Sequence, residues 1–102
     1  MKIAVSATGP SLDDRVEPRF GRCPLFVIVD PQTLEYEAVS NPHAESVSGA
    51  GVQTAQWLAD KQVGVVLTGN CGPNASQVLR QAGIEVVTGM YGTVREAVER
   101  YR

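Results

Sequence analysis

Along this chain, short apolar runs alternate with polar, glycine-containing connections, and the length and spacing of the runs predict its elements. Ile3 to Ala7 reads as a first strand, closed by the turn-forming Thr8-Gly9-Pro10-Ser11. A polar stretch from Leu12 to Pro24 leads to the continuous run Leu25-Phe26-Val27-Ile28-Val29, a second strand stopped by Asp30-Pro31. Leu34 to Val39 alternates, with Leu34, Tyr36 and Ala38 on one face, and the short Asp30-to-Thr33 connection predicts that this third strand folds back antiparallel on the second.

Asn41-Pro42 breaks the strand pattern and a loop runs to Gly51. Val52, Ala55, Leu58 and Ala59 then recur at helical spacing, predicting a helix through Gln62. Val63 to Leu67 is apolar and β-branched, the composition of a strand covered on both faces. Pro73 suits the first turn of a second helix, whose apolar stripe of Ala75, Val78, Leu79 and Ala82 ends at Gly83. Ile84 to Val87 is a last buried strand, and Thr93 with Glu96 forms a capping box ahead of Val94, Ala97, Val98 and Tyr101 on a final helix. The predicted order is β-β-β-α-β-α-β-α, a single α/β domain over residues 1–102 with the last two strands parallel to the first.

Composition narrows the function. The chain has 102 residues, 43% hydrophobic and 20% charged, enough for one packed core and unlike a disordered segment. Nine basic residues against eleven acidic ones give a net charge of −2, so no nucleic-acid partner is expected, because such binding draws on phosphate neutralisation by Lys and Arg. No stretch approaches the roughly 20 apolar residues of a membrane span. No membrane association is expected, and a cytoplasmic location is, with its two cysteines as thiols rather than a disulfide.

If the first, third, fourth and fifth strands all point the same way, four connections meet at one end of the sheet: 9–24, 40–51, 68–72 and 88–92. They hold both cysteines, the single histidine, Met90 and most of the glycines. Ligands of open α/β sheets bind at this carboxyl end, where helix N-termini present free N–H groups. Cys23 stands beside Arg19 and Arg22, whose guanidinium groups would stabilise a thiolate, and Cys71 precedes a helix whose dipole would do the same. Each cysteine alone reads as a small buried hydrophobe; the pair, with His43 as a further candidate, reads as a set of soft metal ligands. Arg15 joins Arg19 and Arg22 as the chain's one basic concentration, and Met90 reads as packing. Ser48, Gly49 and Gly51 before the first helix, and Gly69, Asn70 and Gly72 before the second, offer bare N–H groups to an anion. Neither loop has the spacing of a dinucleotide or P-loop motif.

Arg19-Phe20-Gly21-Arg22-Cys23-Pro24-Leu25-Phe26, Asn41-Pro42 followed by Ser48-Gly49-Ala50-Gly51, and Gly72-Pro73-Asn74-Ala75 together resemble the dinitrogenase iron-molybdenum cofactor biosynthesis domain family, which takes in NifX, NafY, the C-terminal region of NifB and orange-protein-like stand-alone members. The resemblance covers essentially the whole chain. It implies an RNase H-like three-layer fold with a mixed five-stranded sheet, and binding of a metal-sulfur cluster of iron-sulfur, iron-molybdenum or molybdenum-copper type. It also implies partners that donate and receive that cluster. Members often carry histidine where Arg19 stands and in the loop near Ser46, and both are absent. Thiolates of Cys23 and Cys71 are therefore expected to replace imidazoles as ligands.

The reading is a non-catalytic cluster carrier, as a monomer or a weak homodimer in which two chains share ligands. Two alternatives stay open at this point: a cysteine-dependent redox enzyme, which would need a base beside its thiol, and a protein-interaction module without metal. An RNase H-type nuclease is disfavoured because the first strand lacks the carboxylate that two-metal chemistry requires.

Overall fold

The computed structural model describes all residues, 1–102. Its elements run β1 (Ile3–Ala7), a 3₁₀ turn (Phe20–Arg22), β2 (Leu25–Val29), β3 (Tyr36–Ser40), α1 (Ala50–Ala59), β4 (Val65–Leu67), α2 (Pro73–Gln81), β5 (Glu85–Val87) and α3 (Val94–Tyr101). The five strands form one mixed sheet in the order β3-β2-β1-β4-β5. The tight turn after β2 makes β2 and β3 antiparallel, with Val27 opposite Ala38, and β2 is antiparallel to β1, with Val5 opposite Val27. The helical crossovers make β4 parallel to β1 and β5 parallel to β4. This is the RNase H-like three-layer arrangement that the resemblance implies.

Because successive side chains of a strand point to opposite faces, β1 divides the interior in two. Ile3, Val5 and Ala7 pack with Val27, Val29, Val65 and Leu67 under Val94, Ala97 and Val98 of α3. Ala4, Phe26, Ile28 and Val66 face the other way, under Ala55 and Leu58 of α1 and Ala75 and Leu79 of α2. All five residues of β1 are buried, as a strand covered on both faces requires.

Several boundaries move. The third strand begins at Tyr36 rather than Leu34, because Leu34 takes φ 64° in a turn whose Asp30 carboxylate accepts the N–H groups of Gln32 (2.9 Å) and Thr33 (3.4 Å). Those bonds, the one from Gln32 first, hold the Asp30 carboxyl below its ordinary range. The first helix stops at Ala59 rather than Gln62, which takes a left-handed φ of 61°. The fourth strand starts at Val65 rather than Val63, and the fifth at Glu85 rather than Ile84. Lying at the edge of the sheet, the fifth strand has Glu85 exposed and Val86 and Val87 only partly buried, not the buried strand expected. The final helix has the predicted capping box: the Thr93 hydroxyl accepts from Glu96 N–H at 3.1 Å and the Glu96 carboxylate accepts from Thr93 N–H at 2.8 Å.

Candidate functional site

β1, β3, β4 and β5 all end at the same edge of the sheet, as expected, but the segments that follow them separate to its two sides. The segment after β1 first crosses toward α3: Val16 N–H donates to Gly92 C=O at 2.9 Å, and Arg15 bridges to Thr93. It then returns past β4, where Asn70 N–H donates to Pro18 C=O at 2.6 Å and Phe20 N–H to Asn70 C=O at 3.1 Å. That pairing places Arg19 beside Asn70. Gly69 has to be glycine for it, since a Cβ there would lie 2.7 Å from the Pro18 Cα.

The 3₁₀ turn then packs on the start of α1. A Cβ on Gly21 would lie 2.6 Å from the Gly51 Cα, so backbone meets backbone at this contact, and Gly51 in turn faces the Ala75 methyl at the start of α2. Small residues thereby draw the N-termini of α1 and α2 together around the turn. Between them lies an open cleft of about 440 Å³, lined on the turn by Arg19 to Arg22, on α1 by Gly49 to Val52, and on the α2 side by Asn70 and Gly72 to Ala75.

Both helices start without a side-chain cap. Gly49 at φ 70° and Gly72 are the caps, and neither has a side chain that could accept a hydrogen bond. The N–H groups of Ala50, Gly51 and Val52, and of Asn74 and Ala75, have no acceptor within the protein, and all five residues line the cleft. Arg19 and Arg22 add formal positive charge, and no Asp or Glu lines the space. Arg19 is partly countered by Glu17, whose carboxylate stands 3.7 Å from its Nε, but the Arg19 side chain stays largely exposed. Convergent N–H dipoles and guanidinium groups accept an anion and repel a bare cation.

Of the residues expected to bind a cofactor, Arg19, Arg22, Gly49, Gly51, Asn70 and Gly72 meet in this cleft, while Ser48 and Gly69 flank it in the chain without lining it. Arg15 is corrected: it belongs to the α3 side, so the basic concentration is split. Met90 packs against the α3-side core, as expected. The activated thiols are a larger correction. Cys23 is fully buried among Phe20, Phe26 and Leu58, its Sγ donates to Phe20 C=O at 3.3 Å, and burial pushes its pKa up to about 12. The neighbouring guanidinium groups do not offset that desolvation, because Arg22 is exposed and turns its Nη1 to the 42–48 segment rather than to the sulfur. Cys71 is half-buried, and burial raises its pKa too, against the opposing effects of a Ser76 hydrogen bond and Arg80. Neither sulfur nor His43 lines the cleft, and no three His, Cys, Asp or Glu side chains gather in a metal-ligand group.

Two residues of the site escaped the sequence reading except as parts of motifs. Asn41 is buried: its Nδ2 donates to Cys23 C=O at 3.0 Å, and its Oδ1 accepts from His43 N–H at 3.0 Å and the Thr54 hydroxyl at 3.2 Å. It thus ties the 3₁₀ turn, the 42–48 segment and α1 together. Asn74 lines the cleft from the first turn of α2. The signal for Asn41 was its place after a strand and before a proline, where a side chain that bonds backbone is common.

Fold and cleft together define a class: a three-layer α/β domain in which two open helix N-termini and two arginines line one cleft without an acidic side chain. Residues 1–102 match the family described as dinitrogenase iron-molybdenum cofactor, and the chain belongs to that family. Among solved structures, the apo orange protein of Desulfovibrio gigas superposes with a TM-score of 0.94 at 48% identity, over 98% of this chain and 85% of that one. A NifB-type protein of Thermotoga does so with a TM-score of 0.82 at 32% identity, over 98% and 85%. An uncharacterized protein of Methanocaldococcus jannaschii is 31% identical over 99% of this chain and 85% of its own length. No helix is long and apolar enough to cross a membrane.

Proposed function

We propose that the chain binds an anionic metal-sulfur cluster in the cleft between the 3₁₀ turn, α1 and α2, and carries it without catalysing a reaction. One observation carries this reading: unpaired N–H groups from two helix starts converge with Arg19 and Arg22 on a space without an acidic side chain. Family membership supplies the chemical class of the cargo. Sulfides on the face of such a cluster accept hydrogen bonds from these donors, and the cluster's negative charge is balanced by the guanidinium groups. The metals are then held through their own sulfides. Cys23 is unsuited to a metal bond because its burial keeps the proton on sulfur. A carrier role further implies one protein that delivers the cluster and one that takes it.

Anaerobic reconstitution tests the proposal, with iron and sulfide in one arm and with copper and tetrathiomolybdate in another, each followed by gel filtration and elemental analysis. Stoichiometric retention of metal and sulfide is expected, with visible charge-transfer bands. Arg19→Gln with Arg22→Gln is expected to weaken retention by about 100-fold, at roughly a factor of ten per charge-assisted contact. Cys23→Ser and Cys71→Ser are expected to retain as much metal as the parent. Loss of metal in either serine variant would return the ligand role to the thiolates, and a colourless parent protein would remove the cluster reading altogether.

A further inference from the structure

Arg22 does more than line the cleft. Its Nη1 spends both hydrogens on the 42–48 segment, donating to Ala44 C=O at 3.0 Å and Ser46 C=O at 2.8 Å. The same segment is tied to α1 where the Ser46 hydroxyl meets Gln53 Oε1 at 2.9 Å, and at its base where Asn41 Oδ1 accepts from His43 N–H. Beyond Ser46 the ties end, and Val47 stands wholly exposed next to the cleft-lining Gly49. On its other side Arg22 walls a second hollow together with Pro24, Asn41, Pro42, Ala44 and Glu45. Arg22 therefore borders both the cleft and the hollow beside the segment, and its Nη1 faces the segment. Its Nε and Nη2 have no partner in the protein.

We propose that Arg22 is a positioning residue that couples the charge in the cleft to the order of the 42–48 segment: Nη1 holds the segment as a strap while Nε and Nη2 take the anion. The proposal rests on the cluster-binding reading for the anion and on the hydrogen bonds above for the strap. The guanidinium is planar and rigid, so an anion that fixes one edge also fixes the direction of the other. An exposed arginine side chain has several accessible rotamers, and in those that turn away the strap would lose both of its Nη1 bonds. An anion that binds better when Arg22 is turned toward the strap shifts the population to the closed form. Loaded and empty proteins then differ in the surface around Val47.

Amide hydrogen exchange of residues 44–48 tests this, with tetrathiomolybdate as the probe and its retention measured separately by equilibrium dialysis. In the wild-type chain, saturating probe should slow strap exchange by about tenfold, the scale of one charge-assisted contact. Arg22→Gln without probe should exchange the strap faster by a similar factor, with β1 amides unchanged. Arg22→Lys should still retain probe yet show no slowing, because a single ammonium has to serve both the strap and the anion. Arg95→Gln, which removes a surface charge paired with Asp13 on the α3 side, should behave as wild type. Wild-type strap exchange that ignores a retained probe, or Arg22→Gln exchange equal to wild type, overturns the coupling. A wild-type chain that retains no probe overturns the binding reading instead, and the free-protein comparison of Arg22→Gln with wild type still decides whether the strap hangs on Arg22.

Discussion

Three helices of this small domain start at the same end of its sheet, and they start in two different ways. The chain closes the N-terminus of α3: the Thr93 hydroxyl and Glu96 carboxylate satisfy each other's backbone N–H groups, and the Val94 and Arg95 N–H groups donate to Asp14 and Leu12 C=O. That carboxylate is an anion supplied by the chain, held below its ordinary pKa by the Thr93 N–H first and the Thr93 hydroxyl second. α1 and α2 have Gly49 and Gly72 at the equivalent position and leave their N–H groups without a protein acceptor. The closed terminus lies on the α3 side of the sheet, away from this cleft, and the two open ones frame it. Where the chain brings its own anion the terminus is closed; where it brings glycine the N–H groups are left open, and the proposed cargo is the anion that would fill them.

Closing an open terminus breaks the comparison most directly. Gly72 has extended backbone, φ −61° and ψ 160°, and a Cβ there meets nothing within 4 Å, so an aspartate fits without strain. Gly72→Asp should weaken cluster retention by about 100-fold, a carboxylate replacing the cargo at the α2 N–H groups, and should stabilise the free protein by a few tenths of a kcal/mol. Titration with tetrathiomolybdate and urea unfolding read the two effects. Undiminished binding by this variant would show that the open end of α2 is not where the anion sits.

The thiols sharpen the comparison on the α1 and α2 side. Burial raises the Cys23 pKa from 9.0 to about 12, so the folded chain keeps a proton that the unfolded chain gives up. The resulting stability is complete below pH 9 and is lost as pH rises toward 12, with a slope of about 1.4 kcal/mol per pH unit. Urea midpoints at neutral pH and midway through that window should therefore fall more steeply for wild type than for Cys23→Ala. Equal slopes would mean that Cys23 reaches solvent in the folded protein. Opening α3 instead should do the least: Thr93→Ala should cost about 1 kcal/mol of stability in the same urea assay and leave cluster retention unchanged. A loss of binding in that variant would erase the distinction between the two kinds of terminus.

The amino-acid sequence by itself determined the elements, their order and the end of the sheet where the candidate site lies. Those rest on local rules: strand and helix periods, the Pro73 and Gly83 boundaries, the Thr93–Glu96 box, and the directions that a tight turn or a helical crossover imposes on strands. It also marked Arg19, Arg22, Gly49, Gly51, Asn70 and Gly72, which do share one cleft. Only the tertiary structure decided what the neighbours of each residue are. Arg15 is four residues from Arg19 in the chain yet pairs with Thr93 on the α3 side. Cys23 adjoins Arg22 in sequence, but the chain turns its sulfur into the apolar core and sends the guanidinium to the Ala44 and Ser46 carbonyls. The physical reason is that the charge state of a thiol depends on solvation and through-space partners. Adjacency along the chain fixes neither.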